Sequence, residues 1–170
     1  MLPHEDNELI TRVGPGTPMG NTMRRYWMPA LLSSEIAEPD CAPVRVRLLG
    51  EDLVAFRDTD GKIGIMEHRC PHRCASLFFG RNEEGGLRCI YHGWKFDVEG
   101  NCVDMPNVPA AQDFKHRIKA KAYKVVERSG FVWTYMGKRE QPPELPSIEI
   151  MMLPEEERVT RVHMLSLIHI

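Results

Sequence analysis

Three cysteines and two histidines fall within residues 70 to 94, CPHRCASLFFGRNEEGGLRCIYHGW, of a 170-residue chain that has only five cysteines. Cys70 and His72 are separated by one residue, Cys89 and His92 by two, and sixteen residues lie between the pairs. Each short pair can turn both side chains toward one point only from a tight loop, and Pro71 and Gly93 suit such loops. The intervening FFG and NEEGGLR read as a hairpin or meander, so the fold has to return the second loop beside the first. Two thiolates and two imidazoles then converge. That inventory admits two sites: a Cys2His2 zinc, or a two-iron two-sulfur cluster with one iron on cysteines and the other on histidines.

The spacing favours iron. Zinc fingers usually pair cysteine with cysteine and histidine with histidine, whereas each loop here carries one of each. In a binuclear cluster each loop reaches across both irons, so one iron collects Cys70 and Cys89 and the other collects His72 and His92.

The rest of the chain supplies the frame. From residue 44 the apolar pattern takes a period of two: VRVRLLG (44 to 50), LVAFRD (53 to 58), the turn TDGK, and IGIME (63 to 67). Further strand candidates are 86 to 90, 94 to 98, 102 to 105, 121 to 127 and 131 to 136, with turns at Glu99-Gly100-Asn101 and Ser129-Gly130. The expected fold class is all-β, an antiparallel sandwich carrying a small cluster-binding subdomain. Residues 1 to 43 are read as an extension in which Thr17 caps a short helix opening at Pro18 and ending near Trp27. Gly14, Gly16 and Gly20 do not make a phosphate loop, because no Gly-Lys-Ser/Thr follows and no strand pattern precedes them. The iron-sulfur domain is placed at 44 to 140, its cluster-binding part at about 66 to 106, and QPPELP opens a linker at 141 to 147. IEIMML (148 to 153) is read as a strand entering a further domain.

Charge excludes some partners. With 22 basic and 24 acidic residues and a pI near 6.4, no nucleic-acid or anionic-membrane surface is expected. No apolar run approaches the roughly 18 residues that span a bilayer, and the start has no apolar leader. A soluble cytoplasmic protein is expected, and in that reducing compartment cysteines beside histidines point to metal more than to disulfides.

The motifs C-P-H-R at 70 to 73 and C-I-Y-H-G-W at 89 to 94 resemble the two boxes of a Rieske domain. The surrounding text, from RVGPGTPMGNTMRRYWMPALL through GWKFDVEGNCVDMPN, resembles the N-terminal region of ring-hydroxylating oxygenase α subunits of the phthalate 4,5-dioxygenase type, over about residues 10 to 160. The resemblance implies a Rieske [2Fe-2S] cluster on Cys70, His72, Cys89 and His92, fed by a flavin-containing reductase. It also implies a homo-oligomer of α subunits, and a mononuclear Fe(II), on two histidines and a carboxylate, in a catalytic domain downstream. Two neutral imidazoles in place of two thiolates make reduction easier, with potentials from about −150 mV upward against roughly −400 mV for an all-cysteine site. A ligand histidine with a solvent-facing ring nitrogen can couple reduction to proton uptake.

Arg73, Cys74, Tyr91 and Trp94 are the expected surroundings of these ligands. Cys74 stands where many such oxygenases have glycine; it is read as a small buried thiol behind the ligands, with ligation in place of a histidine as the rival reading. Tyr91 stands where respiratory Rieske proteins have a disulfide cysteine, so that disulfide is not expected. Arg73 is read either as bonding across the loops or as a surface ion pair, and Trp94 as core or as a cover on the cluster. Cys41 and Cys102 are read as structural, His4 and His116 as solvated or packed, and His68 as packed or as an outer support of the ligands. The late histidines, His163 and His169, do not sit in a facial-triad setting. LSLIHI (165 to 170) back-translates to a string resembling a sequencing-library transposon end. It is read as an adaptor-derived tail, with residues 148 to 164 the start of a truncated catalytic domain. The other readings are a stand-alone Rieske ferredoxin and a structural zinc module.

Overall fold

The computed structural model describes residues 2–159. Two short helices, α1 (His4–Thr11) and α2 (Pro18–Met23), precede ten strands: β1 (Trp27–Leu32), β2 (Val44–Leu48), β3 (Glu51–Arg57), β4 (Ile63–Glu67), β5 (Arg81–Glu83), β6 (Gly86–Arg88), β7 (Lys95–Phe96), β8 (Cys102–Asp104), β9 (Ala122–Arg128) and β10 (Phe131–Tyr135). They form a six-stranded sheet ordered β1-β10-β9-β4-β3-β2 and a four-stranded sheet ordered β5-β6-β7-β8, antiparallel at every pairing. The outer strands β1 and β2 come into contact, so the larger sheet rolls toward a closed barrel.

Turn chemistry sets the register. Leu49-Gly50, Glu84-Gly85 and Ser129-Gly130 each place two successive residues at positive φ, the geometry whose twist matches two-residue hairpins. Asp58 and Asp97 brace two longer turns, each side-chain Oδ1 accepting two backbone N–H groups.

Strand β3 is buried on both faces and joins two cores. Leu53 and Ala55 pack with Leu31, Val46, Ile65 and Val132 inside the rolled sheet. Val54 and Phe56 point the other way, against Met66, Leu77, Leu87 and Phe96 from the smaller sheet, and this second core also holds Cys70 and Cys89. Side chains alternate along a strand, so one four-residue apolar run serves both layers.

The helix expected at Pro18 is present, with the Thr17 hydroxyl accepting from Gly20 N at 3.2 Å, but it ends at Met23 rather than near Trp27, which opens β1. Gly20 is required by close packing: a Cβ there would stand 2.3 Å from the Gly14 carbonyl oxygen. Two elements in the first 43 residues differ from expectation. Helix α1 has no buried residue, and β1 joins the main sheet by pairing with β10, with its register broken between Pro29 and Leu31. The strand read at 148 to 153 is instead a 3-10 turn over Glu149–Met152, because Pro146 and Pro154 on either side limit ladder hydrogen bonding. His163, His169 and the 165 to 170 tail lie outside the described residues.

A buried polar knot ties the N-terminal segment to the barrel. Arg24 donates to the carbonyls of Val13, Gly20 and Leu49 and to Glu51 at 2.7–3.1 Å, while Lys121 and Tyr123 donate to the other Glu51 oxygen. Burial acts to raise the Glu51 pKa, but these three donors outweigh it and hold the group below the usual carboxylate range. A carboxylate depressed in the folded state stabilises above its unfolded pKa, and that contribution is lost as pH falls through the folded value. Glu51→Gln is therefore expected to cost about 1.5–3 kcal/mol at pH 7. In denaturant melts the gap between the two forms should narrow below the ordinary carboxylate value of 4.5; a gap constant with pH would contradict this account.

Candidate metal centre

Both loops that carry the Cys-His pairs have one backbone design. In the first, Cys70 N donates to Ala75 O at 2.9 Å and Cys74 N to Cys70 O at 2.9 Å. In the second, Cys89 N donates to Trp94 O at 2.8 Å and Gly93 N to Cys89 O at 3.0 Å. The fifth residue of each, Cys74 and Gly93, takes the left-handed conformation, with φ of 57° and 76°. Each loop thus folds back on its own cysteine and leaves the histidine at the tip. The first is fastened at its base by the Arg69–Ser76 bridge and by Leu77 N donating to His68 O at 2.6 Å; the second springs from β6.

The thiols meet in the core. Cys70 and Cys89 are 2% and 3% exposed, in one core cluster, close enough for Cys89 to act on the Cys70 thiol. Burial, with the neighbouring Cys89 adding to it, pushes the Cys70 thiol up to about 11, against the pull of the His72 and Arg73 backbone N–H groups on the sulfur. A metal in this position would reverse that balance, because a coordinating thiol is deprotonated outright.

The imidazoles meet above them. The His72 and His92 rings are 4.5 Å apart. Trp94 stacks on His72 at 4.3 Å and 6°, and Tyr91 packs on His92 at 3.8 Å. Desolvation, then the charges of His92 and Arg73, lower the His72 pKa and keep the ring in the neutral form that a metal requires. Its Nδ1 is buried with no hydrogen-bond partner. Such an orphaned acceptor costs about 1–3 kcal/mol unless something satisfies it.

These donors fit a binuclear cluster better than a single zinc. The arrangement is two thiols together and two imidazoles together, which is the two-plus-two donor set of a [2Fe-2S] site with mixed ligation.

The expected surroundings divide. Trp94 fills both of its readings: it is 5% exposed within the core, covers His72, and donates Nε1–H to Asn107 Oδ1 at 2.7 Å. Tyr91 is exposed and contacts the His92 ring. The Cys74 side chain is exposed rather than buried, because the left-handed residue closing the loop turns its side chain away from the core. Arg73 matches neither of its readings; its guanidinium is exposed and has no ion-pair or hydrogen-bond partner among the described residues. His68 bonds Ser76 through Nδ1 at 3.3 Å, a loop brace.

Three supporting residues escaped the sequence reading. Arg88 donates to the Gly93 carbonyl at 2.8 Å while pairing with Glu83 and Asp104, both at 2.6 Å, so it fixes the second loop to β5 and β8. Pro106 lies against Gly93, and Asn107 orients Trp94. The one available signal was an arginine directly before Cys89 on an apolar strand.

Comparison with known proteins agrees with this geometry. The family model for the Rieske [2Fe-2S] domain matches residues 26–125. The 3-chlorobenzoate-3,4-dioxygenase oxygenase subunit of Comamonas testosteroni is 58% identical over 90% of this chain and 35% of its own length. The phthalate 4,5-dioxygenase oxygenase subunit of Pseudomonas putida is 56% identical over 85% of this chain and 33% of its own. The chain thus spans about a third of the length of these relatives. A crystal structure of dicamba monooxygenase with non-heme iron and dicamba superposes with a TM-score of 0.67 at 29% identity, over 78% of this chain and 40% of that one. Among the described residues no helix is long and apolar enough to cross a membrane. With a donor set built for mixed thiolate and imidazole ligation and a family match that runs across both loops, the chain belongs to the Rieske [2Fe-2S] domain family.

Proposed function

We propose that Cys70 and Cys89 hold one iron and His72 and His92 the other, and that the chain is the electron-relaying N-terminal part of a ring-hydroxylating oxygenase acting on an aromatic acid. The observation that carries this reading is the convergence of two buried neighbouring thiols with two imidazoles 4.5 Å apart, and an unpartnered buried Nδ1 on His72. A [2Fe-2S] cluster held there supplies one-electron transfer. The protein's part is to hold the donors still and dry. Backbone N–H groups of His72 and Arg73 stabilise charge on Cys70, Trp94 and Tyr91 fix the two rings, and the Arg88 web keeps the second loop against the small sheet. The exposed Arg73, Ile90 and Tyr91 beside the histidines leave that edge accessible to an electron-transfer partner.

The remaining parts of the reading rest on the relatives, whose names specify 3-chlorobenzoate and phthalate, both aromatic carboxylates. A flavin-containing reductase delivers the electrons, the α subunits form a homo-oligomer, and a mononuclear iron in a catalytic domain beyond the linker at 141 to 147 activates dioxygen. Iron and acid-labile sulfide analysis of the purified chain, with an EPR spectrum after dithionite reduction, tests the core of it. Two irons and two sulfides per chain with a low average g are expected. Zinc without sulfide would leave a structural module, and an all-cysteine type of signal would move ligation onto Cys74.

A further inference from the structure

Where β10 ends, Tyr135, Met136 and Gly137 form the floor of a cleft of 430 Å³ walled by Arg25, Lys138 and Arg139. None of these residues belongs to the cysteine-histidine loops. Arg24 also borders the cleft, but its guanidinium is engaged by Glu51 and three carbonyls. Arg25, Lys138 and Arg139 are exposed and have no ion-pair partner among the described residues, and Glu140, the next acidic residue in the chain, is not part of the wall. Tyr135 is 2% exposed, yet its hydroxyl has no hydrogen-bond partner among the described residues. That oxygen lies beneath Gly137, where a Cβ would stand 2.3 Å from it, so the glycine leaves the hydroxyl room at the floor.

We propose that this cleft binds a small organic carboxylate, its apolar body on Tyr135 and Met136 and its oxyanion between the Tyr135 hydroxyl and the Arg25, Lys138 and Arg139 cations. Three unneutralised cations specify an anion. Arginine matches a carboxylate through two parallel N–H bonds, and the Tyr135 hydroxyl, which makes no hydrogen bond among the described residues, is a donor that such an oxygen can accept from. The volume lies within the roughly 300–1,000 Å³ of small-molecule pockets, with the usual apolar floor and few polar anchors.

Calorimetric titration of the full chain with benzoate and with benzamide, nearly the same body with and without the charge, tests the proposal. Saturable benzoate binding is expected, with benzamide at least about tenfold weaker. Tyr135→Phe, which deletes one oxygen, should weaken benzoate about tenfold or more. Lys138→Gln combined with Arg139→Gln, both on the surface, should weaken it about tenfold while leaving the melting temperature unchanged, which keeps the test decisive if the tyrosine variant folds poorly. Equal affinity for benzamide, an unaltered affinity in the lysine-arginine double variant, or inorganic phosphate binding as tightly as benzoate would overturn it.

Discussion

Cys89→Ala is expected to purify without acid-labile sulfide and without visible colour, whereas Cys41→Ala keeps both. The two cysteines differ in what surrounds them. Cys89 is 3% exposed beside Cys70 inside the second core, while Cys41 packs at the margin of the other core. Removing one of the two thiolates from the proposed cysteine-bound iron leaves that iron one protein ligand short. The loss extends to stability, because binding at a site absent from the unfolded chain contributes directly to folding free energy. Truncation also opens a small void among Leu77, Leu87 and Trp94. Inductively coupled plasma analysis and a thermal melt measure both effects. Two irons retained in Cys89→Ala would remove Cys89 from the ligand set.

The two paired loops were legible because their information is local: a cysteine and a histidine with one or two residues between them, and Pro71 or Gly93 to tighten the loop, state most of the geometry by themselves. The strands from 44 to 67 and from 122 to 135 were legible for a similar reason, a period of two bounded by turn residues. Strand β1 was not. Pro29 and the register break beside it erase the alternation, and Trp27–Leu32 becomes a strand only because β10 offers an edge. The Arg88 web was equally hidden, since Arg88, Glu83 and Asp104 lie on three strands whose register no single segment reveals. Cys74 shows the limit most plainly: its exposure follows from one positive φ, which becomes visible only when the two loops are compared.

That comparison yields the other large effect. Gly93→Ala is expected to destabilise the chain by about 2–5 kcal/mol, the sum of roughly 1–2 for a side chain in the left-handed region and 1–3 for overpacking. The second contribution is specific to this loop: a Cβ on Gly93 would stand 2.6 Å from Pro106 Cγ, and the loop cannot retreat because Arg88 holds the Gly93 carbonyl. Displacing Gly93 moves His92, the residue before it, so the EPR signal should broaden along with the fall in melting temperature. The equivalent substitution in the first loop has the opposite sign. Cys74 occupies the same backbone position at φ 57° with its side chain in solvent, and Cys74→Gly should stabilise by about 1 kcal/mol through relief of the left-handed strain. Opposite shifts from one position in two loops of the same hydrogen-bond design would separate backbone strain from local packing. Destabilisation by both substitutions, with sulfide lost from Cys74→Gly, would instead make Cys74 part of the metal site.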